Sequence, residues 1–338
     1  MKDKIKAFGE VMMRLEVPNY LKLEQSRSLN VSYSGTGVNV LSALSKYGHH
    51  TSLITRLPAN SLGDAAIASI RSSGVSTEDI VRGGEYVGMY FLENGFSVRP
   101  SKVTYSNRTE SSFCTASLTD FNLESILHNT KMIHFCGIAL TISERTRTNA
   151  LRVAEEAKKL GIPIVFDCNY RPKLWESQRQ KAKEIYEAML QLSDICFMSE
   201  KDAILLLGME TNELDQQKQI EDVMPKVARK FHMTTIAGII RKNDQNENEV
   251  VKGFIYDNNG FTYSRNYIFK IVDRIGAGDG FTSGVMHGML KKLSLKDTIE
   301  FATASGVLAH TTYGDVPVCS KEEVWNLVHK KLEANLER

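Results

Sequence analysis

Short apolar runs alternate with amphipathic stretches from about residue 130 onward. The runs MIHFCGIAL, IPIVFDCN, DICFMS and TTIAGII are almost continuously hydrophobic, which is typical of parallel strands covered on both faces. Between the first two runs, one side of a predicted helix carries Leu151, Ala154, Ala157 and Leu160, and Gly161 follows as its C-cap. Strand, helix and strand in this order predict a doubly wound, mostly parallel α/β sheet flanked by helices.

Two segments depart from this alternation, at about residues 11–34 and 86–117. They are rich in Val, Tyr, Phe, Thr and Ser, with turn residues between, so they predict short antiparallel strands. We interpret them as a small β-sheet lid inserted into the α/β core of a single domain, residues 1–338. The polar stretch KNDQNENE at residues 242–249 predicts an exposed loop between two strands.

Composition and charge narrow the possible functions. The chain has 338 residues, 42% hydrophobic and 24% charged, and its net charge of +2 provides no field that favours nucleic acid or membranes. The five cysteines are widely separated and form no C-x-x-C pair, so neither a disulfide framework nor a zinc site is indicated. The sequence shows no signal peptide and no apolar run near 18 residues, so we expect a cytoplasmic protein. H-E-x-x-H, G-x-S-x-G and Gly-Lys are missing, which excludes zinc peptidases, serine hydrolases and P-loop enzymes.

The stretch VDRIGAGDGF carries the strongest candidate chemistry. Unpaired amides at a helix start can hold an anion such as a phosphate, and Gly276, Ala277 and Gly278 suit that role. Alternatively, the glycines make only a tight turn, and Asp279 stabilises the first helical turn; the motif alone leaves both interpretations open. Because a carboxylate beside a phosphate is repelled, Asp279 is better interpreted as a base that deprotonates an attacking hydroxyl. We expect the helix dipole to keep it ionised.

This stretch resembles the C-terminal signature of the ribokinase-like (PfkB family) carbohydrate kinases. The resemblance implies a ribokinase-like fold, ATP and Mg²⁺ as cofactors, an anion hole formed by the amides of Gly276, Ala277 and Gly278, and Asp279 as the catalytic base. Gly276 and Gly278 would then bind the nucleotide phosphates.

An N-terminal stretch, YSGTGVNVLSALSKYG, resembles the sugar-binding element of the same family. Gly35 and Asn39 match it, whereas Ser34 stands where the family usually has its first glycine. The GTGV segment also suggests a dinucleotide-binding fingerprint, but Val40 occupies the position of the third glycine or alanine. A nicotinamide-dependent oxidoreductase is therefore disfavoured.

A third match is FDCNYRPKLW, where a predicted strand ends at Asp167. Ligands of doubly wound folds bind at the carboxyl ends of such strands. In the family this element faces the phosphates and the sugar, which implies cofactor contacts for Asn169 and Arg171 and a substrate contact for Arg171. Otherwise Asp167 and Asn169 are turn formers and Arg171 is a solvated charge.

The predicted lid bears on the choice of sugar. GMYFLENG and VTYSNRTESS resemble the lid of the 2-keto-3-deoxygluconate kinases, which implies substrate contacts for Tyr90, Tyr105 and Arg108. A substrate carboxylate requires a cation, and Arg108 and Arg171 provide candidates. Packing within the lid is the alternative role for the two tyrosines.

Two further stretches point to the same group. SEKD stands where many of these kinases have an N-x-x-E that organises magnesium, which implies that Asp202 acts on Mg²⁺ through water. FATASGVLAHTTYGDVP resembles the tail of the 2-keto-3-deoxygluconate kinases and implies that Asp315 lies near the substrate, although a turn role is open.

The resemblance therefore implies a kinase that phosphorylates the terminal hydroxyl of 2-keto-3-deoxygluconate to give 2-keto-3-deoxy-6-phosphogluconate. The alternatives are a fructokinase or another neutral-sugar kinase, and a non-catalytic sugar-binding regulator. The expected partners are a small sugar acid and ATP, with no nucleic acid or membrane. Since an exposed β lid gains by pairing with another copy, we also expect a homodimer or larger homo-oligomer.

Overall fold

The computed structural model describes residues 3–175, 178–243 and 248–330. The strands are β1 Lys4–Phe8, β2 Met12–Glu16, β3 Asn30–Ser34, β4 Thr51–Leu57, β5 Ile80–Arg82, β6 Gly88–Glu93, β7 Lys102–Ser106, β8 Thr130–Cys136, β9 Ile164–Asp167, β10 Ile195–Phe197, β11 Thr235–Asn243, β12 Glu249–Asp257, β13 Gly260–Tyr263 and β14 Tyr267–Phe269. The α-helices are α1 Thr36–Lys46, α2 Ser61–Ser72, α3 Leu123–His128, α4 Ile138–Thr141, α5 Glu144–Lys159, α6 Arg179–Leu192, α7 Gln216–Phe231, α8 Ala277–Lys291, α9 Leu295–Ala309 and α10 Lys321–Val328.

The larger sheet has ten strands and is mostly parallel. Its order is β13-β12-β11-β10-β9-β8-β1-β4-β5, and β14 pairs with β12. Every pairing from β11 to β5 is parallel, whereas β12 is antiparallel to β11, β13 and β14. The four predicted apolar runs contain β8, β9, β10 and β11, so the predicted doubly wound, mostly parallel α/β sheet is confirmed.

Two hydrophobic cores cover the two faces of this sheet. Alternate residues of β1 point to opposite sides, with Phe8 in one core and Ala7 in the other. The first core packs against α3 to α7, and the second against α1, α2 and α8 to α10. Burial of both faces explains why the central strands are apolar without alternation. Among the described residues, no helix is both long and apolar enough to cross a bilayer.

Helix α5 differs in detail from its prediction. Its buried face consists of Thr146, Asn149, Ala150, Val153, Ala154 and Ala157. Leu160 is 51% exposed, because the helix ends at Lys159 and the chain turns at Gly161, whose φ is +65°. The predicted C-cap region is therefore right, but the inclusion of Leu160 in the apolar face is wrong.

The glycines of α8 allow close packing against α9. A Cβ atom on Gly284 would collide with the backbone of Ala302, and one on Gly288 would collide with Thr298. The cost of glycine in a helix interior, about 1 kcal/mol relative to alanine, is thus offset by contact between the two helices. This contact fixes the position of α8, whose first turn faces the candidate site.

The smaller sheet has the order β3-β2-β6-β7. Its β2–β3 and β6–β7 pairs are antiparallel, but β2 and β6 are parallel, so the expectation of purely antiparallel strands is wrong. The reason is topological: the chain leaves this sheet after β3, builds part of the large sheet, and returns at β6 in the direction of β2. We call these four strands the small sheet.

The polar stretch predicted as a loop at 242–249 lies partly outside the described residues, which omit 244–247. Strand β11 extends to Asn243 and β12 begins at Glu249, and these two residues are paired.

Candidate active site

A cleft of about 500 Å³ lies between the small sheet and the carboxyl edge of the large sheet. Eleven of the predicted site residues line it: Gly35, Asn39, Tyr90, Tyr105, Arg108, Asn169, Arg171, Gly276, Gly278, Asp279 and Asp315. Ala277 is buried in the first turn of α8, behind the cleft wall. Asp202 is not among the residues that line the cleft. Its charge nevertheless acts on Asp167, which does line it.

The turn before α8 leaves helix amides available at the cleft. Gly276 has a φ of +83°, in the left-handed region, and a Cβ there would collide with the carbonyl oxygen of Asp315. The first backbone donor of the helix is Gly280, whose N–H bonds to the carbonyl of Gly276 at 2.9 Å. The preceding amides have no acceptor within the helix and lie at the positive end of its dipole. The geometry therefore suits an anion.

Asp279 is held by the helix opposite. Asn39 of α1 donates from Nδ2 to its Oδ2 at 2.7 Å. Although Asp279 keeps some exposure to the cleft, desolvation raises its pKa well above the ordinary value, with Asp167 and Asp315 adding repulsion and Asn39 and Arg171 opposing the rise. This direction is opposite to the one expected from the helix dipole. A raised pKa makes the carboxylate a stronger base.

Asp315 receives three donors from the small sheet. Arg14 of β2 donates from Nη1 to Oδ1, Ser34 donates to Oδ2 at 2.5 Å, and the Tyr90 hydroxyl donates to Oδ2 at 2.6 Å. The serine that replaces the usual glycine thus has a defined contact with Asp315. The predicted substrate contacts Tyr90 and Asp315 lie together in the cleft and are bonded to each other.

Arg108 reaches the cleft in a buried ion pair. Its Nε donates to Glu10 Oε2 at 2.9 Å, and Ser111 donates to the other oxygen of Glu10 at 3.1 Å. The guanidinium lies over the ring of Tyr105, 4.7 Å from its centroid. Among the described residues, Nε is the Arg108 nitrogen that hydrogen-bonds to a side chain, so the terminal nitrogens remain as donors for a ligand in the cleft that Arg108 lines.

Gly35 has a packing role that the sequence does not reveal. A Cβ at this position would collide with the carbonyl oxygen of Glu10. Gly35 therefore brings the start of α1 against the end of β1, which places Asn39 beside Asp279.

The carboxyl end of β9 brings a carboxylate, Asp167, and a cation, Arg171, to the cleft, and the charge of Asp202, after β10, acts on Asp167. Asn169 has a φ of +40° and donates from Nδ2 to Cys136 Sγ at 3.3 Å. Arg171 is exposed and makes no ion pair within the described residues. Desolvation, together with the charge of Asp202, raises the pKa of Asp167 to about 7. Asp202 itself accepts from the backbone N–H and the hydroxyl of Ser199, both at 2.8 Å.

Glu10 and Arg14 contribute to this arrangement without having been predicted as site residues. Both are buried, at 8% and 1% exposure. The signal in the sequence is the occurrence of two charges inside the apolar stretch AFGEVMMRL, since buried charges require partners. The identity of those partners, Arg108 and Asp315, cannot be deduced from spacing.

The fold and this cleft define a ribokinase-like phosphoryl-transfer enzyme. The family model for pfkB family carbohydrate kinases matches residues 2–322, so the chain belongs to this family.

Relatives and solved structures agree with this assignment. A 2-dehydro-3-deoxygalactonokinase from Haloferax volcanii is 27% identical over 328 residues, covering 96% of each chain. The crystal structure of a candidate 2-keto-3-deoxygluconate kinase from Enterococcus faecalis is 36% identical, with a TM-score of 0.93 and 99% coverage of both chains. The 2-dehydro-3-deoxygluconokinase from Thermotoga maritima is 33% identical, with a TM-score of 0.91 and coverage of 97% of this chain and 99% of that one.

The cleft residues fit the cofactors of a sugar kinase. The amides before Gly280 and the guanidinium of Arg171 suit nucleotide phosphates. Desolvation, followed by the charge of Asp202, raises the pKa of Asp167, so a cation near the two carboxylates would relieve their repulsion. Among the described residues, no three His, Cys, Asp or Glu side chains are grouped to hold a metal directly. Mg²⁺, which keeps several waters and takes few protein ligands, is compatible with such a site.

Proposed function

We propose that this protein transfers the γ-phosphoryl group of ATP to the terminal hydroxyl of 2-keto-3-deoxygluconate, giving 2-keto-3-deoxy-6-phosphogluconate. The observation that carries the proposal is the presence of Asp279, beside free helix amides, in one cleft with Arg108 and Arg171. A base and an anion hole support phosphoryl transfer, and the two guanidinium groups favour an acidic sugar over a neutral one. The names of the Thermotoga and Enterococcus relatives support the same substrate.

Asp279 acts as the general base in this proposal. It accepts the proton of the terminal hydroxyl as the oxygen attacks phosphorus, while Asn39 fixes the carboxylate. The amides of Gly276, Ala277 and Gly278 stabilise the charge on the moving phosphoryl group. Asn169 and Arg171 orient the phosphates.

Mg²⁺, when bound with ATP, neutralises phosphate charge. We assign Asp202 to hold it through water, with Asp167 as a neighbouring carboxylate. The Ser199 contacts fix the orientation of the Asp202 side chain.

The sugar acid lies under the small sheet in this proposal. Its carboxylate meets the terminal nitrogens of Arg108, whose Nε is held by Glu10, and Arg171 adds a second positive charge. The remaining sugar contacts come from Tyr90, Tyr105, Asp315, Gly35 and Asn39. Residues 1–338 form one kinase domain, in which the small sheet excludes water from the cleft and so suppresses ATP hydrolysis.

A homodimer or larger homo-oligomer through the small sheet is part of the proposal. Val31 of β3 is 57% exposed and does not line the cleft, so this edge strand presents an apolar side chain to solvent. Pairing of a second copy would cover it. We place the enzyme in the cytoplasm, where ATP is available, with no nucleic acid or membrane as a partner.

The test is a coupled assay of the purified protein with ATP and Mg²⁺. The substrates are 2-keto-3-deoxygluconate, its galactonate epimer and fructose. We expect kcat/KM for the gluconate-derived acid to exceed that for fructose by about 100-fold or more, the scale of one lost buried ionic contact. Comparable turnover of fructose would refute the assignment, and a higher kcat/KM for the epimer would move it to the galactonate acid.

A further inference from the structure

We propose that Arg14 is a positioning residue that links the small sheet to the turn preceding α8. The proposal rests on the proposed function only for its kinetic test, because the link itself is a property of the fold. Arg14 does not line the cleft, so its effect on the reaction is indirect.

Arg14 is 1% exposed and contacts three carboxylates. It donates to Asp315 from Nη1 and to Glu16 from Nη2 at 2.8 Å, and Nη2 lies 3.6 Å from Asp273 Oδ2. Among the described residues, Arg14 is the cation that pairs with each of these acids. Removal of its charge would leave three neighbouring carboxylates without compensation.

Asp273 fixes the turn that leads into α8. Its Oδ1 accepts from the Ile275 N–H at 3.0 Å, and its Oδ2 lies 3.3 Å from the Gly314 nitrogen, which donates to it. The carbonyl of Asp273 contacts His310 Nδ1 at 2.9 Å, and the Val272 N–H donates to the His310 carbonyl at 2.9 Å. The segments 272–276 and 310–315 are therefore bonded to each other along their length.

Asp315 fixes the same turn from the other side. Its carbonyl oxygen lies against Gly276 so closely that no Cβ fits. Arg14 thus holds, from one strand of the small sheet, both acids that flank the anion-hole turn. A shift of Asp273 or Asp315 would displace Gly276 and the amides that follow it. Displacements of about 1 Å in an active site can cost about 100-fold in rate.

The first test measures hydrogen–deuterium exchange of backbone amides in ligand-free protein. In Arg14→Met we expect faster exchange in peptides covering 272–280 and 310–316, with β6 and β7 close to wild type. Arg99→Met is the matched control, since Arg99 also belongs to the small-sheet region and its guanidinium donates to the Tyr20 carbonyl, away from the turn before α8. Unchanged exchange at 272–280, or a loss of protection confined to the small sheet, would overturn the proposal.

A charge-compensating pair separates positioning from packing. Arg14→Met/Glu16→Gln removes one of the uncompensated carboxylates and keeps a side-chain oxygen that can accept from Asn94, so exchange at 272–280 should return toward wild type relative to Arg14→Met alone. A pure packing role for the arginine side chain predicts no such recovery, and that result would contradict us. If Arg14→Met does not fold, hydrogen–deuterium exchange is measured in Arg14→Lys and Arg99→Lys instead. We expect faster exchange at 272–280 in Arg14→Lys than in Arg99→Lys, and equal exchange in the two variants would contradict the proposal.

The kinetic test uses the coupled assay. We expect Arg14→Met to lower kcat by about 10- to 100-fold, and the double variant to recover part of it. Wild-type kcat in Arg14→Met overturns the proposal. If the wild type does not phosphorylate 2-keto-3-deoxygluconate, the proposed function fails, whereas the exchange measurement still decides the role of Arg14.

Discussion

Asn39 donates a 2.7 Å hydrogen bond to the carboxylate of Asp279, a residue 240 positions further along the chain. The bond joins the first turns of two helices, α1 and α8, at the floor of the cleft. The sequence predicts a sugar contact for Asn39, and the structure adds Asp279 as a partner within the protein. The other side-chain atom of Asn39, Oδ1, is buried without a partner among the described residues.

Replacement of Asp279 by Asn should remove catalysis and retain binding. The amide can still accept from Asn39, but it cannot take the hydroxyl proton. We expect kcat to fall by about 100- to 10,000-fold, the usual contribution of a general base, with small changes in KM. Calorimetry with an ATP analogue and the coupled assay provide the two measurements. Turnover within tenfold of wild type would exclude Asp279 as the base.

The same variant should be more stable than wild type at neutral pH. The pKa of Asp279 in the folded protein is raised above its ordinary value of 3.8, so the unfolded chain releases this proton at a lower pH than the folded protein does. Asp279 therefore lowers the free energy of unfolding by an amount that grows as pH rises from the unfolded-state pKa to the folded-state pKa. Asn carries no such cost. Urea unfolding at pH 8 and pH 4 should show an advantage for Asp279→Asn at pH 8 that shrinks at pH 4. An equal advantage at both values would contradict this origin of the stability difference.

Two glycines of the anion-hole turn should respond differently to alanine. In Gly276→Ala the left-handed φ destabilises the folded protein by about 1–2 kcal/mol, and the new Cβ collides with the carbonyl oxygen of Asp315. We therefore expect a lower free energy of unfolding and little activity. A Cβ on Gly278 would meet no atom within 4 Å. Gly278→Ala should therefore change the free energy of unfolding by only about 0.5 kcal/mol while weakening ATP binding, because the methyl group enters the cleft. Thermal unfolding and calorimetric ATP titration test both; a strongly destabilised Gly278→Ala would be inconsistent with the open space.

Arg108 should discriminate between acidic and neutral sugars. In Arg108→Gln we expect KM for 2-keto-3-deoxygluconate to rise by about tenfold or more, with a smaller effect on kcat, because a charge-assisted contact is lost. Arg82→Gln is a suitable control, since Arg82 pairs with Asp64 away from the cleft. An equal change in KM for fructose and for the acid would argue against a carboxylate contact.

A histidine pair, one member buried and one partly exposed, predicts sensitivity to acid. His49 Nε2 and His287 Nδ1 are 2.9 Å apart, and burial, followed by nearby positive charge, lowers the pKa of each to about 4. In the unfolded chain each histidine has its ordinary pKa of 6.5, so between pH 4 and pH 6.5 the unfolded chain binds more protons than the folded protein. The free energy of unfolding is therefore highest above pH 6.5 and declines as pH falls toward 4. His49→Gln should reduce the decline between pH 7 and 5 by about 1 kcal/mol, allowing for the partial exposure of His49. His128→Gln, at an exposed position, should leave it unchanged.

The sequence is sufficient to predict the four parallel strands β8 to β11 of the large sheet because local pattern and burial coincide there. The runs that form β8 to β11 are apolar since both of their faces are covered, and that condition is visible in the residues themselves. The turn at Gly276 is likewise predictable, because glycine directly before an acidic first helical turn favours a sharp turn that leaves helix amides open.

Contacts across long stretches of chain could not be predicted in the same way. Arg14 and Asp315 are separated by 301 positions, and no periodicity relates them. The parallel pairing of β2 with β6 depends on the path of the chain through the large sheet and not on either strand. The pKa of Asp279 is raised by desolvation and then by the charges of Asp167 and Asp315, and the fold creates both the burial and the neighbours.

The parallel pairing of β2 with β6 also constrains how the protein can be divided. Met12 is opposite Gly88, and the intervening residues supply α1, β4 and α2 around the large sheet. Neither half of the small sheet, cut out by itself, would contain more than one two-stranded ribbon, a form with marginal stability in water. The cover of the cleft should therefore assemble late in folding, after the body beneath it has brought its two halves together.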